Sequence, residues 1–369
     1  MTAAKTPFYR SKTFGILLGV VGSGACIGWV ISKLAEEPGA FAKIGNAFQT
    51  ADYRVLIPFL AIVFAFYWLK AWRWRILLAP VGNYKPLKEL FPPIMIGFAF
   101  NNVLPAHLGE FVRCYVFAKQ KKIPMSTSLS SVVLERVFDV IAILFYLGIG
   151  LVFVENVDPQ LRMVANLVAI ASAGAVLGGL CYVIWTKPFV TIVETILKKI
   201  PFIPHVLTDK ICDMLEKGAE GLASLKSVPL LTATLIISLI KWGLNGALMI
   251  LALWAFGVSI PPTVAMVLLG ALAFGVTVPS TPGYLGVIQL IFVVVLEQLL
   301  PNWGDVREGV VAASVFYHMV QYIPVTASGL LFFFRTGLSL HQVEEAEEAL
   351  EEGEELPNGP AATASTEPA

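Results

Sequence analysis

The sequence predicts an all-α membrane protein with two inverted repeats, each of which contains a broken, re-entrant helical hairpin. Three observations predict this fold. Of the 369 residues, 57% are hydrophobic and 14% are charged, whereas soluble domains carry about 25% charged residues. Six apolar stretches approach or exceed the roughly 20 residues that a bilayer-spanning helix needs; they lie at 14–31, 55–72, 129–154, 163–186, 229–256 and 309–334. Two further apolar segments, 90–104 and 263–300, contain prolines.

The distribution of Lys and Arg predicts the orientation, because basic residues of short loops concentrate on the cytoplasmic side. With a cytoplasmic N-terminus, 17 basic residues fall inside and five outside, and Arg73 is counted in an inner loop. This orientation is consistent with the number of spans only if two segments enter and leave the membrane on the same side. Segment 90–104 would re-enter from the cytoplasm and segment 263–300 from the outside. We therefore predict a multi-pass protein of the cytoplasmic (inner) membrane with both termini in the cytoplasm.

The first span, 14–31, follows three basic residues and could be mistaken for a signal peptide. Its apolar stretch is longer than the usual signal-peptide core. We therefore predict that it is retained as a helix.

The first re-entrant segment ends in the stretch NNVLPAHLGEFVR, 101–113. The apolar run is too short to cross a bilayer and stops at a Pro, a Gly, a Glu and an Arg. Glu110 falls in the first turn of the second arm, where a carboxylate stabilises the positive end of a helix. Arg113 lies further along this arm and could pair with Glu135 or Asp139.

The span 129–154 carries charges at membrane depth. At about 1.5 Å per residue, Glu135, Arg136 and Asp139 lie well inside the bilayer. Because each isolated charge costs about 2.5–3.5 kcal/mol there, we expect all three to face the protein interior or a wet cavity. A closed salt-bridge network that only fixes packing is the alternative. We favour a functional role, because ionisable residues inside membranes usually have one.

The segment after the span 163–186 differs in character. Residues 187–228 place apolar side chains on one helical face and predict interfacial helices on the inner leaflet; a small cytosolic helical hairpin is the alternative. The end of the chain, 336–369, contains the acidic run EEAEEALEEGEEL and predicts a disordered cytoplasmic tail. Residues 1–335 would form the transmembrane domain.

A shift of 174 residues aligns the chain with itself and predicts repeats at about 55–155 and 229–334. The aligned pairs are Trp68 with Trp242, Leu77 with Leu251, Ala99 with Ala273, Phe100 with Phe274, Pro105 with Pro279 and Gly109 with Gly283. Broken helices at matching positions of inverted repeats are typical of transporters, whose binding sites lie near the bilayer midplane.

The second break, VPSTPGYLG at 278–286, predicts a helix that begins inside the membrane. Thr281 is a suitable N-cap and Pro282 suits the first helical position, so the helix should begin near Gly283. Its free N–H groups would favour an anion; simple kinks in packed helices are the alternative. Lys241 in the span 229–256 and His318 in the last span are further polar groups at depth.

Catalytic and cofactor motifs are absent from the sequence. It contains no His-rich metal motif, nucleophile elbow, phosphate-binding glycine loop or dinucleotide fingerprint. We therefore expect no metal, no cofactor and no enzymatic activity, although Glu110, Glu135 and Asp139 could serve acid–base chemistry on a lipid. A net charge of zero gives no indication of a nucleic-acid partner.

Three stretches resemble the lysylphosphatidylglycerol synthase/flippase transmembrane domain family, which includes the flippase half of the multiple peptide resistance factor. They are FNNVLPAHLGEFVR (100–113), SVVLERVFD (131–139) and VPSTPGYLGV (278–287), and the resemblance covers roughly 10–335. It implies a lipid flippase-like protein, in a family tied to aminoacylated phospholipids, lipid-linked glycosylation and hopanoids. The matching residues are Asn102, Pro105, Gly109, Glu110, Arg113, Glu135, Arg136, Asp139, Pro279, Pro282, Gly283 and Gly286.

The chain departs from the family pattern at three positions. The family often has Gly at the position of Tyr284, an acid at Gln289 and an Arg near His318. A charge relay between the last two helices is therefore not expected. Only the acidic tail follows residue 335, where larger members carry an aminoacyl-transferase domain, so we do not expect lipid aminoacylation.

We predict a flippase or transporter that moves an anionic, phosphate-bearing lipid between leaflets. The predicted anion-binding residues are Arg113, Arg136, Lys241, Thr281 and Gly283, supported by Asn102, Pro105, Glu110, Glu135, Asp139, Gln289 and His318. Membrane lipids with anionic headgroups are the expected partners; a homo-oligomer or a lipid-synthesis partner is left open. The alternatives are a membrane subunit or enzyme of lipid-linked glycosylation or glycolipid synthesis, and a secondary transporter of small solutes.

Overall fold

The computed structural model of the protein describes residues 12–36, 38–104, 108–155, 159–199, 228–276, 282–339 and 342. All regular structure within these ranges is helical, which confirms the all-α class. Two predicted site residues, Pro105 and Thr281, lie outside the described residues. So do 200–227 of the predicted interfacial segment and most of the acidic tail.

Twelve α-helices occupy the described ranges. Their bounds are α1 Lys12–Ala35, α2 Ala40–Thr50, α3 Leu56–Leu77, α4 Phe91–Val103, α5 Gly109–Lys121, α6 Met125–Phe153, α7 Pro159–Ile184, α8 Thr186–Lys199, α9 Val228–Ala255, α10 Pro262–Gly275, α11 Val287–Leu299 and α12 Trp303–Thr336.

Within the described ranges, four helical segments are long and apolar enough to cross a membrane, which supports a multi-pass membrane protein. They are Tyr53–Leu77, Met125–Phe153, Val228–Ala255 and Trp303–Thr336, and each matches a predicted span. The other two predicted spans fall in α1 and α7, whose described apolar parts are the shorter Val21–Ala35 and Asn166–Gly178.

One end of the helix bundle gathers the start of α3, the end of α9 and the start of α12. The Asp52 N–H donates to the Ala255 carbonyl oxygen over 2.9 Å. A Cβ on Gly309 would lie 3.0 Å from the carbonyl oxygen of Phe256, and the ring centroids of Phe256 and Phe316 are 5.6 Å apart. We call this the α9 end of the bundle.

The opposite end gathers the last turns of α3 and α5 and the first turns of α6. The Trp74 Nε1–H donates to Ser131 Oγ over 2.8 Å, and the Trp74 ring lies 4.7 Å from that of Phe117. Phe91 at the start of α4 contacts Phe332 near the end of α12, with centroids 6.3 Å apart. We call this the α6 end.

Helices α4 and α5, of 13 residues each, form a short antiparallel hairpin. Glu89, just before α4, forms an ion pair with Lys121 at the end of α5, so the hairpin opens at the α6 end. A Cβ on Gly97 would lie 2.7 Å from the Gly109 carbonyl oxygen. Small residues therefore let the two backbones approach closely, as is common between helices in membranes.

Helices α10 and α11, of 14 and 13 residues, also pack against each other. They connect α9 to α12 and open at the α9 end, opposite to the first hairpin. The order of one long, two short and one long helix therefore occurs twice, in α3–α6 and in α9–α12. Whether the hairpins are re-entrant in a membrane and the repeats inverted remains a prediction.

Four of the described helices, α1, α2, α7 and α8, lie outside this pattern. The sequence did not predict α2, which packs on α12 with Lys43 Nζ 3.3 Å from Glu308 Oε1. Helix α8 agrees with the start of the predicted segment 187–228. Its Phe189 ring lies 5.6 Å from that of Tyr182 on α7, so α8 is attached to the bundle by an aromatic contact.

Candidate functional site

Six ionisable side chains from four helices meet in the interior and form what we call the buried charge cluster. Each is at most 3% exposed. The members are Lys70 and Arg73 on α3, Arg113 on α5, Glu135 and Asp139 on α6, and Lys241 on α9.

The Asp139 carboxylate joins α6 to α3 and α9. Arg73 donates to both of its oxygens, with Nη1 2.6 Å from Oδ1 and Nη2 3.1 Å from Oδ2. Such a paired contact uses the planar fork of the guanidinium. Lys241 Nζ, at 2.6 Å, and Trp242 Nε1, at 2.8 Å, also donate to Oδ1. Loss of this carboxylate would remove an acceptor that Arg73, Lys241 and Trp242 share.

The Glu135 carboxylate accepts from three cations. Lys70 Nζ contacts Oε1, Arg73 Nη2 lies 2.9 Å from the same oxygen, and Arg113 Nη2 lies 2.9 Å from Oε2. The sequence offered Glu135 or Asp139 as the partner of Arg113, and the structure pairs it with Glu135. The Arg113 guanidinium also lies 3.8 Å from the ring centroid of Trp74.

The buried charge cluster is not electrically balanced. It holds four basic and two acidic side chains, so it carries two excess positive charges when every member is ionised. Among its nitrogens, Nε and Nη1 of Arg113 and Nε of Arg73 have no hydrogen-bond partner. A network that only fixed packing would be expected to balance its charges, because an uncompensated buried charge is costly.

A cavity of about 550 Å³ adjoins the cluster. Lys70, Asp139 and Lys241 line it. Aliphatic side chains such as Val140, Ile143 and Leu269 form part of its other walls. The aromatic and polar residues of these walls include Phe66, Tyr67, Phe98, Trp242, Tyr284, Tyr317, Tyr322, Asn101, Asn102, Asn245, Gln321 and His318. Within the described part of the chain, no group of three or more His, Cys, Asp or Glu side chains is placed to hold a metal ion.

The cavity opens to the surface of the bundle beside Arg136. This side chain is 49% exposed and forms an ion pair with Glu110, and both residues line the cavity. Val133 and Val140 lie on the same stripe of α6 and are 46% and 50% exposed. Arg136 therefore sits at an opening between apolar side chains rather than in the closed interior.

The structure separates the two arginines that the sequence predicted to act together. Arg113 is buried against Glu135 and is not among the residues that line the cavity, whereas Arg136 pairs with Glu110 at the opening. Lys70 and Lys241 are the cluster cations that line the cavity. The cluster thus contacts the cavity through two lysines and Asp139.

The prediction that a helix begins near Gly283 is wrong. Pro282–Tyr284 forms a short 3-10 turn, and α11 begins at Val287. Gly283, Tyr284 and Gly286 have φ values of 73°, 59° and 86°, and residues in this left-handed region cannot continue a right-handed helix. Gly283 still lines the cavity.

The N-terminus of α11 already has a polar partner. The Gly286 N–H donates to Gln289 Oε1 over 2.9 Å, and Gln289 Nε2 lies 3.3 Å from His318 Nδ1. Gln289 and His318 therefore form a polar contact and not an ion pair between two charged side chains. Asn102 Nδ2 donates to Thr326 Oγ1 over 2.7 Å, which connects α4 to α12 at the cavity wall.

Sequence reasoning missed Lys70 and misplaced Arg73. Helix α3 continues to Leu77, beyond the apolar run that ends at residue 72, so Arg73 is a buried residue and not a loop cation. Lys70, Arg73 and Trp74 are spaced i, i+3 and i+4, which places them on one helical face. This spacing was the signal that could have found them.

Comparisons with known proteins support the conclusion that this chain is a membrane protein. The model of the family described as "Lysylphosphatidylglycerol synthase TM region" matches residues 16–329. A protein named Glycosyltransferase AglD, from Haloferax volcanii, is 24% identical over 330 residues, which cover 82% of this chain and 52% of that protein. A UPF0104 membrane protein from Methanothermobacter thermautotrophicus is 28% identical over 165 residues, 43% of this chain and 46% of that protein. The matches span about half the length of these relatives, and no solved structure matches the chain.

Proposed function

This chain belongs to the lysylphosphatidylglycerol synthase TM region family, and from this premise we propose that it transports lipid. In this proposal it moves an anionic, phosphate-bearing lipid or lipid-linked headgroup between the leaflets of the cytoplasmic membrane. The observation that carries the proposal is the excess of two basic over acidic side chains in the buried charge cluster beside the cavity.

The charge excess favours an anionic ligand. A buried charge without a partner costs several kcal/mol, and an anion in the cavity would offset that cost. Lys70 and Lys241 line the cavity from two different helices, so a phosphate between them could accept charge-assisted hydrogen bonds from both ammonium groups. The acids Glu135 and Asp139 would hold the basic side chains in place when the site is empty.

The opening beside Arg136 favours a lipid over a small solute. A charged side chain on a spanning helix is expected to face protein or water, yet Arg136 is half-exposed between Val133 and Val140. A headgroup could enter here while its acyl chains stay among the lipids. A small-solute transporter would instead need a path for its substrate from the aqueous side.

The two hairpins supply a route for alternating access. They open at opposite ends of the bundle and flank the cavity, through Asn102 and Glu110 on one side and Leu272 and Ile288 on the other. In our proposal both are re-entrant, both termini are cytoplasmic, and rocking of the repeats exposes the cavity to either leaflet.

This topology predicts the labelling of single cysteines. In a variant without the native cysteines, Cys at Ser259 and Cys at Asn302 should both react with an impermeant thiol reagent from outside intact cells, because both positions are exposed at the α9 end. Ser126→Cys is the matched control at the α6 end and should react only after permeabilisation. Labelling of just one of the two outer positions would contradict a re-entrant second hairpin.

The transport proposal predicts the effect of Arg136→Gln. Because Arg136 pairs only at the opening and is 49% exposed, the variant should fold normally. It should move a labelled anionic lipid at least about tenfold more slowly in reconstituted vesicles, since a charge-assisted hydrogen bond contributes about 1.5–3 kcal/mol. Arg335→Gln, an exposed arginine at the end of α12, is the control. If the Arg136→Gln protein folds and transports lipid at the native rate, Arg136 does not contact the transported lipid.

A second candidate is a membrane subunit or enzyme of lipid-linked glycosylation or glycolipid synthesis. The similarity to a protein named as a glycosyltransferase favours it, as do the carboxylates of Glu110 and Asp139 in the cavity wall. Product analysis separates the two, because a transporter returns its lipid chemically unchanged. A new glycolipid formed by the purified chain from a sugar donor would favour the second candidate.

A further inference from the structure

The four cations of the buried charge cluster differ in whether they can lose a proton. Arg73 and Arg113 keep their charge under all conditions that proteins meet. A lysine ammonium is a titratable group that responds to burial. Lys70 and Lys241 are therefore the cluster cations whose charge can change, and they are also the ones that line the cavity.

The charges balance when both lysines are neutral. Arg73 and Arg113 then compensate Glu135 and Asp139 within the same network. Because a buried charge without a partner usually neutralises rather than persists, the empty site is expected to hold fewer protons than the occupied one. The contact of Lys241 Nζ with Asp139 Oδ1, at 2.6 Å, survives this change, since a neutral amine still donates.

We propose that the site carries protons together with the lipid headgroup. Lys70 and Lys241 take up protons from solution when a phosphate enters the cavity and release them when it leaves. In each uptake step the amine lone pair forms one N–H bond, and the positive charge gained offsets one negative charge of the phosphate. This inference rests on the proposed function, because it requires an anion in this cavity.

The surroundings of both lysines suit the charged form once an anion is present. Lys241 Nζ lies 4.7 Å from the ring centroid of Trp242 and 5.2 Å from that of Phe66. Lys70 Nζ lies 5.2 Å from that of Phe98. An ammonium near an aromatic face is stabilised by the ring electrons, so these rings lower the cost of protonation without contributing charge.

Other ionisable groups also face the lysines, and their proton uptake must be distinguished from that of the lysines. Glu110 and Arg136 pair with each other at the opening. The remaining ones that line the cavity are His318, Tyr67, Tyr284, Tyr317 and Tyr322. A phenol in water loses its proton only near pH 10, so His318 is the group most in need of a control.

The number of protons should follow the charge of the ligand. A phosphodiester carries one negative charge, whereas a phosphate monoester carries nearly two at about pH 8, because its second pKa is about 6. We therefore expect uptake of about one proton with the diester and up to about two with the monoester. Transport of either lipid would then be close to electrically neutral and would respond to a pH gradient.

Calorimetry of the full chain in neutral detergent measures this uptake. Short-chain phosphatidylglycerol and dodecyl phosphate would each be titrated in HEPES and in Tris at about pH 8. The dependence of the binding enthalpy on the buffer's ionisation enthalpy gives the protons taken up. Lys241→Met should remove about one proton from the dodecyl phosphate value, and the double variant Lys70→Arg with Lys241→Arg should remove all uptake. Lys43→Met, a cation paired with Glu308 away from the cavity, is the control and should retain it.

The wild-type measurement alone can overturn the inference. Binding of both ligands without any buffer dependence would show that the lysines stay charged in the empty site, and would leave the proposed function standing. Uptake that persists in Lys241→Met and disappears in His318→Gln would assign the proton to His318 and also overturn it. If neither ligand binds, the proposed function fails and this inference fails with it.

Discussion

Asp139→Asn is expected to lower the free energy of unfolding by about 3–5 kcal/mol, the cost of breaking a buried ion pair by removing one partner. The change keeps the shape of the side chain and removes its charge. Arg73 and Lys241, each at most 1% exposed, would then lack a counter-ion at Asp139. Unfolding by a denaturing detergent, followed by circular dichroism, measures the loss.

Two variants show whether the loss comes from buried charge. Asp305→Asn removes an exposed acid from the first turn of α12 and should change stability by less than about 0.5 kcal/mol. Adding Lys241→Met to Asp139→Asn removes a buried basic side chain that has lost its carboxylate partner, and should restore part of the stability. Equal stability of Asp139→Asn and Asp305→Asn would mean that the charges of the cluster are solvated and not truly buried.

Lys70→Met combined with Lys241→Met should leave a folded protein that transports anionic lipid at least about 100-fold more slowly. Each lost charge-assisted hydrogen bond to the phosphate costs about 1.5–3 kcal/mol, so two together exceed a hundredfold. Folding should persist, because the change removes the positive excess, and replacing buried charges by apolar residues of similar volume is often neutral or stabilising. Vesicle assays with a labelled anionic lipid and unfolding curves measure the two effects.

The control is the pair Lys43→Met with Lys88→Met, which removes two lysines that lie away from the cavity. It should transport at the native rate. A folded Lys70→Met, Lys241→Met protein that matches this control would show that the cluster only holds helices together. Loss of transport with unchanged or higher stability separates ligand binding from packing.

The sequence alone predicted those parts of the fold that depend on one local property, such as the length of an apolar run. A bilayer demands long apolar helices, so α3, α6, α9 and α12 followed from hydropathy. Pro and Gly between short apolar runs predicted two short hairpins. The partner of Arg113 was narrowed to Glu135 or Asp139 because a charge at that depth has few available partners, and Glu135 is the one found.

The rest depended on contacts between distant residues. Lys70 meets a carboxylate 65 positions later, and Lys241 one 102 positions earlier. The hydropathy scan ended the second span at residue 72, so Arg73 was counted as a loop cation although α3 continues to Leu77. The start of α11 was predicted wrongly for a local reason. Pro282-Gly283 suits both a helix start and a turn, and the backbone at Gly283 takes the left-handed conformation of the turn.

Because the cavity opens at the Arg136 face of α6, an amphiphile that competes for it would arrive from the bilayer and not from water. The concentration that governs its occupancy is then its mole fraction in the membrane. Two inhibitors with identical contacts to Lys70 and Lys241 would differ in apparent potency by the ratio of their partition coefficients. The same inhibitor would look weaker in any preparation that contains more lipid, because dilution into the added bilayer lowers its mole fraction.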